Sequence, residues 1–403
     1  MAGPWGVIRR GTVFCLGLAQ LISWGTTYYL IGGFGPRIIA ETGWSHTLVH
    51  GGFSAALLMM GLSSARIGRL IDRLGGRAVM TAGSVLSALG CFGLALARDP
   101  LPYYAAWLVL GLAMRCTLYD AAFAALARIG GPEARRPMAQ ITLLGGLAST
   151  AFWPIGESLA SAFGWRGAVF AYAGFALLTV PLHLALPSGS DNARPRHAAP
   201  AAAPLAGSRR EHWVAGALYA LIVTLTNILN AGMSAHMIGI LAGLGLAAPV
   251  AVWIATLRGV GQSGARLAEV LFGGGLSPLA LTLGASAVLP VCFLAGLWGG
   301  QVPAAAIAFA FLYGAGNGLL TITRGTLPLV LFDPRRYGAI AGRLLVPGFL
   351  CSAAAPIAYA ALIEWAGEAA ALWLSAALAA VTLAAAAGLS ATFRTGRAVR
   401  RLG

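Results

Sequence analysis

The chain has 403 residues, of which 58% are hydrophobic and 10% charged, and its mean hydropathy is +0.79. A water-facing surface on a chain of this size needs about a quarter of its residues charged, so an ordinary soluble enzyme is excluded and a lipid bilayer is the solvent that fits. All 27 basic residues are arginine, against 12 acidic residues (net +15), and they fall between apolar runs, where they act as topology signals rather than as a nucleic-acid surface.

Twelve apolar stretches reach the roughly 20 residues that a helix needs to cross about 30 Å of hydrocarbon. In chain order they cover 11–36, 47–67, 78–98, 102–128, 137–161, 165–187, 213–237, 247–271, 276–298, 302–326, 337–362 and 366–390, numbered below as spans one to twelve. Their continuous Ala/Leu/Gly-rich character predicts helices rather than barrel strands, because a backbone in lipid must satisfy its own hydrogen bonds. The predicted fold is all-α, with a six-helix bundle over 1–187 and a second over 212–403 that ends in a short basic tail. The stretch 188–211, with Pro195, Pro200, Pro204 and an AAPAAAP tract, can neither pack nor span and reads as a linker.

The arginines set the orientation. Arg69, Arg73, Arg77, Arg128, Arg135, Arg136, Arg194, Arg196, Arg209, Arg210, Arg335 and Arg336 share one side with the tail residues Arg394, Arg397, Arg400 and Arg401, while only Arg37, Arg98 and Arg166 lie on the other. This asymmetry predicts a multi-pass cell-membrane protein, a bacterial inner-membrane protein in the simplest case, with both termini and the linker cytoplasmic. The segment Met1 to Arg10 lacks the pattern of a removed signal peptide. The five cysteines, Cys15, Cys91, Cys116, Cys292 and Cys351, sit singly in apolar runs and indicate neither a disulfide framework nor a metal site.

Several features recur at an offset near 200 residues: Ser64-Ala65-Arg66 with Gly264-Ala265-Arg266, Gly146 and Pro154 with Gly348 and Pro356, Arg135-Arg136 with Arg335-Arg336. A duplicated six-helix unit is a transporter pattern. The turn after span two reads Gly68-Arg69-Leu70-Ile71-Asp72-Arg73-Leu74-Gly75-Gly76-Arg77. It resembles the G-x-L-x-D-R-x-G-R-[KR] loop of the major facilitator superfamily, with Gly76 where arginine is commonest. The resemblance implies a conformational latch at Gly68, Asp72, Arg73, Gly75 and Arg77 that ties the halves together on the cytoplasmic side in the outward-open state. The second-half counterpart, Arg266 to Gly275, has no aspartate at that place.

An arginine at mid-helix in lipid costs about 2.5–3.5 kcal/mol on insertion scales, so it is expected to face protein, water or a ligand. Arg115, Arg258 and Arg324 qualify. Helical spacing adds polar stripes: Arg258, Gln262, Arg266 and Glu269 on span eight; Tyr313, Asn317, Thr321 and Arg324 on span ten; Gln20, Trp24 and Tyr28 on span one; Thr224, Asn227, Asn230 and Ser234 on span seven; Arg115 and Tyr119, with Asp120 beside them, on span four. In the resembled superfamily spans one, four, seven and ten line a central cavity. The expected substrate site is therefore Arg258, Arg115, Gln262, Gln20, Trp24, Tyr28, Tyr119, Asn227, Asn230, Asn317 and Thr321.

Three potential cations against one nearby carboxylate favour an anion, with Arg258 as its principal contact, because guanidinium grips carboxylate bidentately. Arg324 and Arg266 lie near the cytoplasmic ends, where snorkelling or contacts between the halves account for them equally. Asp120, as partner of Arg73 or Arg77 or as proton carrier, and Glu157 are the proton-coupling candidates. The span-eight arginine with span-one aromatics resembles the monocarboxylate and oxalate/formate branch, although Ile254 stands where the animal carriers have an aspartate.

The reading is a secondary transporter of a small organic anion, working as a monomer in the bilayer by proton symport or exchange, without cofactor, metal or nucleic-acid partner. The alternative is a proton-driven exporter of amphiphiles, favoured by Trp24, Tyr28, Tyr29 and Trp153. Exporters of that kind carry G-P-x-x-G-G on span five, where this chain reads Trp153-Pro154-Ile155-Gly156-Glu157. Metalloid efflux and a receptor role rank lower. No H-E-x-x-H, G-x-S-x-G or P-loop pattern occurs, so no enzyme is expected.

Overall fold

The computed structural model describes residues 8–130, 134–187, 204–272, 276–332 and 343–399, and the regular structure among them is entirely helical. Among the described residues, eight helices are long and apolar enough to cross a membrane. Two of these contain two crossings each. Within Ala148–Leu184 the rings of Phe152 and Tyr172 lie 5.5 Å apart, although 20 residues of straight helix cover about 30 Å. The chain doubles back at Gly164, whose φ of 70° is open to glycine at little cost. Gly367 (φ 77°) does the same within Val346–Val399, bringing Tyr359 Oη to 2.7 Å from Ser375 Oγ.

The remaining two predicted spans are also helical. Span eight is Ala248–Phe272. Span one is Arg10–Ser23 and Leu30–Thr42, joined by a π-helical turn at Trp24–Tyr28. There the hydroxyls of Thr26 and Thr27 bond back to the Ile22 and Ser23 carbonyls at 2.9 and 2.6 Å, so the widened turn keeps its polar groups satisfied without lipid or water. All twelve predicted spans thus have helical counterparts, the first residues of span eleven (337–342) lying outside the described residues.

Of the predicted linker, 188–203 lies outside the described residues, and its last residues already belong to span seven. That helix starts at Arg209 behind a capping box in which Ser208 and Glu211 bond each other's backbone N–H. In the turn after span two, Gly75 takes φ 85°, Arg128 Nη1 donates to the Ile71 carbonyl at 3.1 Å, and Asp72, Arg73 and Arg77 are exposed. Asp72 makes no ion pair among the described residues. The side holding this turn and the start of span one is called the basic side below.

The two bundles meet along two seams. Spans two and eleven face each other from Thr47, 3.5 Å from Glu364, to Gly61, which packs on Phe349. Spans five and eight are joined by Thr150 Oγ1 to the Thr256 carbonyl and Ser263 Oγ to the Leu143 carbonyl, both 2.7 Å. Small residues permit the approach. On the far side spans one and seven close together, with Gly32 against the Ser234 carbonyl and no room for a Cβ, and beside them the buried rings of His50 on span two and His236 on span seven lie 4.1 Å apart, tilted by 39°.

Candidate functional site

Between the bundles a cavity runs from mid-depth toward the basic side. The π turn of span one aims Trp24, Tyr28 and Tyr29 at it. Span four breaks at Leu118 (ψ −177°) and turns Tyr119, Asp120 and Phe123 inward. Span seven contributes Thr226, Asn227 and Asn230, span eight Gln262, and span ten Asn317, Thr321 and Arg324. Eight of the residues expected at the site therefore share one wall: Trp24, Tyr28, Tyr119, Asn227, Asn230, Gln262, Asn317 and Thr321.

Three others do not reach that wall, and each has a local reason. Gln20 is fully buried and donates from Nε2 to the Thr117 carbonyl at 2.6 Å, occupying an acceptor that the break in span four leaves without its helical partner. Arg115 turns away from Tyr119 because the same break separates them. Its Nε bonds Ser64 Oγ at 2.9 Å and its Nη2 the Ser64 carbonyl at 3.3 Å, on span two. Arg258, expected as the principal anion contact, lies behind the wall at 0% exposure. Its guanidinium sits between the rings of Tyr29 and Tyr313, 5.2 and 5.0 Å from their centroids, and Nη2 donates to Asn230 Oδ1 at 2.6 Å.

The cation that does face the cavity is Arg324. Its Nη2 lies 2.8 Å from Asp120 Oδ1, its Nη1 3.4 Å from Asn227 Oδ1, and its carbon 5.3 Å over the Phe349 ring. Asp120 therefore pairs across the cavity with the second bundle, not with Arg73 or Arg77. The signal for Arg324 was present in the stripe Asn317, Thr321, Arg324. Its depth near the basic end hid it. Tyr29, Phe123 and Thr226 also line the wall; Phe123 continues the span-four stripe one turn beyond Tyr119, while Tyr29 lies one residue off the span-one stripe.

Glu157 stands elsewhere. It pairs with Arg37 at 2.5 Å near the far end of spans five and one, both about a third exposed and neither on the cavity wall. Arg266 is fully buried and links the halves beneath the cavity, from Nη1 to Tyr119 Oη and the Thr142 carbonyl and from Nε to the Gly318 carbonyl. The Gln262 amide, with Nε2 toward the Gly146 carbonyl (3.2 Å) and Oε1 toward Arg266 Nη2 (3.1 Å), completes this inner link.

The wall is thus a set of carboxamides and aromatic rings with one ion pair at its basic end. Such a surface can stack a flat or apolar body and hydrogen-bond a polar group, and its single guanidinium is matched by its single carboxylate. Among the described residues no group of three or more His, Cys, Asp or Glu could hold a metal ion.

The profile of the Major Facilitator Superfamily matches residues 16–345. No curated protein matches the chain. Among solved structures the chain is similar to the crystal structure of a nucleoside transporter, NupG, in a mutant form. The two share 13% identity, with a TM-score of 0.66 over 96% of this chain and 98% of that one. At that identity the likeness speaks for the fold.

Proposed function

The chain belongs to the major facilitator superfamily, and from that premise we propose that it carries a small organic anion, a carboxylate, across the membrane by alternating access. The observation that carries this reading is the charge arrangement around the cavity. Arg324 is on its wall, Arg258 and Arg266 stand directly behind it on Asn230 and Tyr119, and Asp120 is the carboxylate on that wall. In a low dielectric one carboxylate cannot compensate three guanidinium groups, and an anionic solute lowers the energy of that field. A solute carboxylate can replace Asp120 on Arg324 with the same geometry. A proton on Asp120 would free Arg324 for that exchange, which makes symport of anion and proton the simplest coupling, with anion exchange as its variant.

In this reading the basic side is cytoplasmic, both termini lie there, and the protein works as a monomer in a cell membrane, the inner membrane in a bacterium. The exposed Asp72 turn is the latch of the opposite state. The arginine on span eight supports the monocarboxylate and oxalate/formate branch in part, since Arg258 stands behind the wall.

The test is a thermal-shift series on purified protein with carboxylates, neutral nucleosides and amphiphilic cations, since stabilisation grows with the logarithm of ligand excess over Kd. Carboxylates should stabilise and Arg324→Gln should remove the effect. Stabilisation by amphiphilic cations alone would favour the exporter reading. A neutral polar solute with a flat ring is the second reading. It is favoured by Asn227, Asn230 and Asn317 alongside Trp24 and Tyr28, and by the likeness to a structure titled as a nucleoside transporter.

A further inference from the structure

We propose that Arg258 acts as a positioning residue: from behind the wall it fixes the Asn230 carboxamide so that Asn230 N–H and Tyr28 O–H are presented as donors to an acceptor group of the solute. This rests on the reading of the cavity as an anion site, and it adds to the Arg324 contact of that reading two donors that stand in front of Arg258.

The hydrogen-bond pattern leaves no freedom. A guanidinium only donates, so the Asn230 atom 2.6 Å from Arg258 Nη2 must be the oxygen. Asn317 Nδ2 approaches the same oxygen at 3.2 Å, which fills its second lone pair. Asn230 Nδ2 then faces Tyr28 Oη at 3.1 Å and must donate to it, so the phenol accepts there and its own proton is left for the cavity. The second Nδ2 hydrogen of Asn230 is likewise left over, and both residues line the cavity. Asn317 Oδ1 is the acceptor that this trio leaves unused, so the mid-depth wall is donor-rich without being donor-only.

Arg258 is held where it can do this and little else. It is fully buried between two tyrosine rings, and its Nε and Nη1 have no hydrogen-bond partner among the described residues. Spans eight and ten touch backbone to backbone beside it: a Cβ on Gly314 would overlap the Arg258 carbonyl, and one on Gly261 the Phe311 carbonyl. In this conformation the side chain has no path around Asn230. The matching solute group is accept-only, as a carboxylate is. A carboxamide matches in part, and an ammonium not at all.

The experiment uses the purified full-length chain and three probes of one shape, benzoate, benzamide and benzylammonium, read as ligand-dependent thermal shifts. Wild type should rank them in that order. Asn230→Asp replaces the donor by an acceptor and should weaken apparent benzoate affinity about tenfold or more. Arg258→Met removes what orients the amide and should make benzoate and benzamide equal. Arg258→Lys, which can still donate to Oδ1, should restore the ranking, a rescue that a space-filling role would not produce. If wild type ranks benzoate first and Asn230→Asp and Arg258→Met do so undiminished, the role given to Arg258 is wrong while the anion reading stands. If wild type responds to benzylammonium alone or to no probe, the anion reading falls and this proposal with it.

Discussion

On the far side the bundles are joined by shape, with Gly32 on the Ser234 carbonyl and two imidazoles packed together, whereas toward the basic side the cavity is crossed by one ion pair, Asp120 to Arg324 at 2.8 Å. A dry seam of that kind opens only if whole helices separate, because close-packed backbones have no partial state. The ion pair has side chains about a quarter exposed, and water or a solute can compete for either partner. The same two bundles are thus closed by packing at one end and by charge at the other, and only the second closure can sense a charged solute. His50 and His236 add a titratable element to the packed end. They are accompanied by His46 one turn along span two, by Tyr359 6.2 Å from His236, and by Glu364 beside Thr47.

The largest effect is expected at the charged end. Arg324→Gln should abolish carboxylate uptake into proteoliposomes and Asp120→Asn should remove its proton dependence, each lowering stability by only about 1 kcal/mol, because partial exposure discounts the pair. The swapped pair, Asp120→Arg with Arg324→Asp, should recover folding stability but not uptake. Undiminished proton-dependent uptake in Asp120→Asn would show that the pair is structural.

At the packed end, Gly32→Val has no room for its side chain against the Ser234 carbonyl and should hold the seam apart. With Ser234→Cys as reporter, labelling by an impermeant maleimide from the far side should rise about tenfold. No rise would mean that the seam closes elsewhere. A smaller change follows from acid. Two imidazolium rings 4.1 Å apart repel, so lowering the pH should increase labelling of the same reporter, and His50→Phe should flatten that profile. An identical profile in His50→Phe would remove the imidazole pair from consideration.

The smallest effect is expected from Glu157→Gln. Its partner Arg37 is about a third exposed and the pair lies off the cavity, so stability should change by about 0–1 kcal/mol and the proton dependence of uptake not at all. A lost proton dependence would return Glu157 to the coupling site and remove the contrast with Asp120.

Composition and hydropathy were enough to determine twelve helices, because lipid leaves a spanning backbone few other solutions, and the turn after span two carried the resemblance to the superfamily. The polar stripes of spans one, seven, eight and ten were equally legible, and eight of the expected residues share the cavity wall. Periodicity places a residue on a face of its own helix; it does not say what stands opposite. Asp120 meets Arg324 across 204 positions, Arg258 is screened by Asn230, and Gln20 is drawn to a carbonyl exposed by a break 97 residues away. The contact of His50 with His236 belongs to the same class, since neither residue has a local signal for it. Which arginine faces the solute was decided by the rotation of each helix against its neighbours and by the break at Leu118, and those are properties of packing between helices that no single stretch of sequence contains.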